Sequence, residues 1–267
     1  MSGGFPHAAT GSRARMLIVN ADDFGLTDGV CEGIVRSIRE GIVTSTSAMV
    51  CCAGARERLR VWGPMIPDRI GVHLQLTSGR PVLPTAQVLS LTGPGGEFAR
   101  SRGEIGPVIA GELFLEWRAQ VNVLFEVGIE PTHIDTHHHV HARDDIFDVF
   151  CEVAAHFGLP ARPVTSDMAG RMRGAGVRCA DVALLDWYGG DLSERGLLRV
   201  LEMGATRHPG AGCFELMCHP GFRDPGLEQA SRYIGEREIE LRTLTAPGLR
   251  EAIAQADFQF TSYRVFG

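Results

Sequence analysis

Met16-Leu17-Ile18-Val19-Asn20-Ala21 is a short apolar run that ends in Asp22-Asp23-Phe24-Gly25. A run of this length and composition predicts a strand buried on both faces, as in a parallel sheet. Beyond it, Thr27 or Asp28 is placed to cap a helix whose apolar residues Val30, Ile34 and Ile38 recur every four positions, and Gly41 lies where that helix would stop. The segment is therefore a β-loop-α unit, and the chain repeats it. Strands are expected over Val43–Val50 and Ile70–Leu76, with a helix over Ala55–Val61 between them. A Gly-, Pro- and Ser-rich loop from Thr77 to Pro107 precedes a helix over Val108–Val127.

The second half continues the alternation. Strands are expected at Thr132–His137, Ala161–Val164, Cys213–Met217 and Phe258–Ser262. Helices are expected over Ile146–Phe157, Leu192–Met203, Glu236–Leu244 and Leu249–Ala256. So many strand-helix repeats predict an α/β fold with a parallel sheet inside and helices outside, as an irregular, TIM-like (β/α) barrel. The 267 residues suit one such domain over 16–267, with 1–15 as a disordered extension or expression remnant.

Composition removes several classes of function. The chain has 44% hydrophobic and 22% charged residues and a formal charge of −6, with its arginines scattered, so neither disorder nor a nucleic-acid partner is indicated. No apolar run approaches the roughly 18 residues of a membrane span, and the start of the chain is small and polar, so the expected location is cytoplasmic. The seven cysteines form neither a zinc-finger pattern nor a disulfide framework and are expected as free, mostly buried thiols.

Polar clusters stand at the C-terminal ends of predicted strands, the face on which parallel α/β folds build their active sites. They are Asn20-Ala21-Asp22-Asp23, Gly71-Val72-His73-Leu74, His133-Ile134-Asp135-Thr136-His137-His138-His139-Val140-His141, and Met217-Cys218-His219-Pro220. The third is the strongest signal, because five histidines and one aspartate in nine residues exceed what packing asks for. If it is extended, His133, Asp135, His137 and His139 share one face. Imidazoles with a carboxylate suit zinc or a similar ion, with a position left for water. Asp22 and Asp23 diverge on a turning backbone, so one can ligate metal while the other serves as base.

These motifs, with Gly41-Ile42-Val43-Thr44-Ser45-Thr46 and Glu215-Leu216, resemble the YdjC-like carbohydrate deacetylases, and especially their chitooligosaccharide deacetylase branch, over most of Met16 to the C-terminus. The resemblance implies an irregular (β/α) barrel and one divalent ion, magnesium or zinc, held by Asp23, His73 and His137. On that basis Asp22 is expected to take a proton from water and His219, across the barrel mouth, to give one to the leaving nitrogen, with Arg162 orienting Asp22. Trp187-Tyr188-Gly189 matches an aromatic-Tyr-Gly segment of that branch, so Trp187 and Tyr188 are candidates for stacking on a sugar.

The expected reaction removes an acetyl group from N-acetylglucosamine units of short chitooligosaccharides. The alternatives are a hopanoid-associated, lipid-linked aminosugar as substrate, a metal phosphoesterase, or a non-catalytic metal- or sugar-binding protein. The expected partner is a small carbohydrate, with a homodimer left open.

Overall fold

The computed structural model describes residues 14–267, and the apolar run near its start is a strand, β1, over Arg15–Phe24. Leu17, Ile18 and Val19 have no solvent exposure, as a strand covered on both faces requires. Of the expected extension, residues 1–13 lie outside the described residues. Arg15 already belongs to the sheet, its N–H donating to the Asp257 carbonyl at 3.0 Å. Of the two candidate caps, Thr27 serves: its hydroxyl accepts from the Val30 N–H, and helix α1 runs over Asp28–Glu40.

The remaining units follow as β2 (Ser45–Ala48), α2 (Ala55–Trp62), β3 (Ile70–Leu74), α3 (Ala110–Glu126), β4 (Ile134–Thr136) and α4 (Asp144–Phe157). Next come α5 (Ser166–Gly174), β5 (Val182–Leu184), α6 (Glu194–Arg207), β6 (Cys213–Cys218), α7 (Pro225–Ala230), α8 (Gly235–Leu244), α9 (Leu249–Gln255) and β7 (Phe258–Thr261). The sequence pattern did not predict α5, β5 or α7. The expected strand over Ala161–Val164 shrinks to Ala161, which bridges Ile134 on one side and Cys179 on the other.

The strands lie in the order β4-β3-β2-β1-β6-β5, with β7 also paired to β1, and every pairing is parallel. The two bridges of Ala161 span the gap between β4 and the β5 side, so the sheet curls into an irregular barrel of the TIM-like (β/α) kind. Parallel pairing brings all strand C-termini to one end. β1 sits between β2 and β6, so Asp22 and Asp23 emerge at the middle of that end. All seven cysteines are free thiols. Among the described residues, no helix is long and apolar enough to cross a membrane.

Candidate active site

β1 does not end smoothly. Its register against β2 shifts between Ala21 and Phe24, and Asp23 takes φ +72°, a left-handed conformation that aspartate tolerates better than most residues. The irregularity sends the two neighbouring carboxylates different ways. Asp23 Oδ1 lies 3.6 Å from His73 Nε2 and 3.5 Å from His137 Nδ1, while Oδ2 accepts from Arg237 Nη2 at 2.5 Å. Asp22 turns to Arg162, whose Nη1 and Nη2 donate to its two oxygens at 2.7 and 2.6 Å, and it also accepts from the Asn20 amide at 2.9 Å.

His73 is presented by β3, whose register sets it beside Asp135 of β4. Its Nδ1 lies 2.7 Å from Asp135 Oδ1, and Ser47 donates to the other Asp135 oxygen at 2.9 Å. A carboxylate on Nδ1 fixes the ring so that Nε2 faces Asp23. Gly71, two residues earlier, has no room for a side chain: a Cβ there would lie 2.4 Å from the His133 ring. That ring in turn stacks on Tyr263, with centroids 3.8 Å apart.

The histidine-rich segment does not stay extended, which corrects the expectation of one shared face. β4 ends at Thr136, and the chain then kinks at His138 and His139, whose φ of +56° and +51° are left-handed. His137 is carried to Asp23, while His133 and His141 are buried. Burial pushes both of these down to about 3, so they are neutral packing groups, His141 against Phe150.

His219 follows β6, which is hydrogen-bonded to β1 with Cys218 opposite Ala21. It therefore stands beside Asp22 rather than across the barrel mouth, its Nε2 3.9 Å from Asp22 Oδ2. Trp187 contradicts its expected role. It has no exposure, and its indole donates to the Asp191 carbonyl at 3.1 Å, so it cannot face a sugar. Tyr188 is 47% exposed and tilts over His219, with centroids 4.9 Å apart.

The electrostatics separate the two aspartates from the histidines. Burial alone would raise Asp22, but Arg162 outweighs it and holds the carboxyl below its ordinary value; Arg237 and His137 do the same, more strongly, for Asp23. For His73 burial opposes charge, yet Asp135 prevails and lifts it to about 9. His219, without a close acceptor, is pushed by burial down to about 4.

Arg162 has no exposure. Besides Asp22 it pairs with Glu215 at 2.7 Å and Asp135 at 2.9 Å.

Asp23 Oδ1 is buried and receives no hydrogen bond among the described residues. Its spacings of 3.5 and 3.6 Å to the two imidazole nitrogens are close to the roughly 3.4 Å between ligands around a tetrahedral ion with bonds near 2.1 Å. Asp23, His73 and His137 thus fit a divalent cation. Asp22, His73 and Asp135 also cluster, but Arg162 already occupies both aspartates, which leaves no room for a second cation. Sequence reasoning missed Arg237, Glu240 and Tyr233, because Glu236-Arg237-Glu238-Ile239-Glu240 reads as an ordinary charged helix surface. An open cleft of about 1600 Å³ adjoins the centre at His138 and Cys52 and is lined farther out by Arg80, Phe98, Arg100 and Arg232.

A parallel barrel whose strand ends converge on one carboxylate and two imidazoles, flanked by a second carboxylate locked to arginine, defines the class of α/β-barrel hydrolases built around such a centre. The chain belongs to the family of YdjC-like proteins, whose model matches residues 16–255. It is 35% identical over 252 residues to a carbohydrate deacetylase of Geobacillus stearothermophilus, with 94% of this chain and 98% of the relative covered. It is likewise 35% identical over 254 residues to a chitooligosaccharide deacetylase of Serratia marcescens, covering 94% and 98%. A crystal structure from Enterococcus faecalis V583, described as a candidate cellobiose-phosphate cleavage protein, superposes with a TM-score of 0.85 at 32% identity, covering 95% of this chain and 99% of that one.

Proposed function

We propose that the protein is a metal-dependent carbohydrate deacetylase that hydrolyses the acetamide of N-acetylglucosamine units in short chitooligosaccharides. The observation that carries this reading is the division of labour between adjacent aspartates: Asp23 offers an unpartnered oxygen beside His73 and His137, while Asp22 is withheld from that triad by Arg162. The relatives named as carbohydrate and chitooligosaccharide deacetylases support the substrate class.

Asp23, His73 and His137 would hold one divalent ion, zinc or magnesium. Bound there, the ion lowers the pKa of water and polarises the acetyl carbonyl. Asp22 is kept ionised by Arg162 and accepts the proton that the attacking water loses. Arg162 also fixes the orientation of that carboxylate by gripping both of its oxygens. His219 is neutral at rest, so it must gain a proton before it can give one to the leaving nitrogen; its 3.9 Å separation from Asp22 makes Asp22 the nearest source. Water and amide are consumed, and acetate and the free aminosugar are formed. A phosphoesterase would ordinarily use two metals, and Arg162 fills the place a second would need.

The test is acetate release from N,N′-diacetylchitobiose by protein loaded with zinc or magnesium, with a phosphodiester assayed in parallel. Acetate release that is lost on chelation and restored by metal is the expected result. Phosphodiester cleavage without acetate release would overturn the reading.

A further inference from the structure

Glu240 is a carboxylate with no solvent exposure and, among the described residues, no arginine or lysine within salt-bridge distance. A buried carboxylate is costly unless its oxygens are satisfied, and burial pushes this one up to about 7. Both oxygens are engaged, and both partners belong to the site. Oε2 accepts the backbone N–H of His219 at 2.5 Å, and Oε1 accepts the Tyr233 hydroxyl at 2.6 Å. The Tyr233 ring stacks on Tyr188 with centroids 4.3 Å apart and planes 26° apart, and Tyr188 leans over His219. The Gly189 N–H donates to the same Tyr233 hydroxyl at 3.3 Å, tying the two tyrosine segments together. One side chain of α8 thus fixes both the histidine and an aromatic pair whose outer member is half exposed.

We propose that Tyr188 and Tyr233 form a platform on which a pyranose ring of the N-acetylated substrate stacks beside His219, and that Glu240 is the positioning residue holding platform and histidine in register. This rests on the deacetylase reading above. Stacked aromatic rings present a flat, polarisable face, and the apolar C–H face of a sugar ring complements it. A tyrosine pair held by a buried carboxylate keeps that face at a fixed height over the reacting amide, where small displacements are expensive in rate. Glu240 touches no reacting atom and acts through its two hydrogen bonds.

The experiment separates binding from turnover. Binding of N,N′-diacetylchitobiose to the metal-free protein is measured by calorimetry, and kcat and KM are measured with zinc added. Tyr233→Leu should weaken binding about tenfold, the equivalent of about 1.4 kcal/mol. Glu240→Ala should lower kcat at least tenfold. Glu240→Gln, whose amide can accept from His219 and donate to Tyr233, should recover at least a third of the wild-type kcat. Unchanged disaccharide affinity in Tyr233→Leu would overturn the platform, and Glu240→Gln as impaired as Glu240→Ala would overturn positioning by hydrogen bonds. If Glu240→Ala fails to fold, the other two variants still decide. Wild-type protein that binds the disaccharide and releases no acetate would sink the deacetylase reading and leave the platform standing; wild-type protein that does not bind it would sink the platform.

Discussion

Arg162→Met should destabilise the metal-free protein by about 4 kcal/mol at pH 7.5, within the roughly 3–5 kcal/mol found when one partner of a buried pair is removed. The cost is not three times larger although Arg162 contacts three carboxylates. Glu215, which burial already pushes up, keeps the Tyr263 hydroxyl as a donor, and Asp135 keeps His73 and Ser47. Asp22 is the group left uncompensated, with Asn20 as its remaining close donor. In the wild type its carboxyl is held below the ordinary 3.8, so its contribution to stability is present above that value and lost as pH falls through the lower folded one.

Without Arg162, burial raises the folded Asp22 instead, and the penalty is present at neutral pH and relieved on acidification. The deficit should therefore be smaller at pH 5 than at pH 7.5, while the part that comes from the lost wild-type pairing of Asp22, present above 3.8, persists at both. Urea unfolding at both pH values measures the difference. A deficit below about 1 kcal/mol at pH 7.5, or one that does not shrink at pH 5, would show that the arginine acts by packing and that the charge reasoning is wrong.

Asp22→Asn should lower kcat by about 10²–10⁴-fold, the usual contribution of a general base, while zinc binding is largely retained; Asp23→Asn should instead weaken zinc binding. Reversed behaviour in titration calorimetry and kinetics would exchange the two roles. Zinc binding at pH 7 should release about one proton, because His73 holds a proton up to about 9 in the metal-free protein; affinity should then rise about tenfold per pH unit below that value. Calorimetry in two buffers of different ionisation enthalpy reads the proton directly, and none released would contradict the assignment. Trp187→Phe should cost about 1 kcal/mol in unfolding experiments, from the lost indole bond to Asp191, without weakening sugar binding; weaker binding at unchanged stability would return Trp187 to the substrate site.

What was legible in the sequence follows from how local each signal is. The apolar run of β1, the cap at Thr27 and the four-residue periodicity of α1 are local, and each is found where its chemistry predicts. The barrel could be read because repeated strand-helix units close a parallel sheet in few ways. Alternation misled where the backbone left the regular path. Nothing in His137-His138-His139 announces two left-handed residues, so alternation carries the strand past Thr136 and sets too many histidines on one face. For the same reason the sequence alone places His219 across the mouth from Asp22, since the order of strands around β1 is not written in their order along the chain.

Long-range pairing explains the deepest omission. Asp23 and Arg237 are 214 residues apart, Asp22 and Arg162 are 140 apart, and only the barrel brings them together. The motif residues could be found because each carries its chemistry on its face: imidazoles cluster in one short segment, and paired aspartates stand at a strand end. Arg237 and Glu240 carry no such mark. They lie three residues apart on α8, and a helix with charges at that spacing is normally solvated. Here the helix turns both inward, the arginine to the outer oxygen of Asp23 and the glutamate to the backbone of His219. Burial of the two converts a surface-like pattern into the frame of the site. A sequence shows which groups can do chemistry more readily than it shows which groups hold them still.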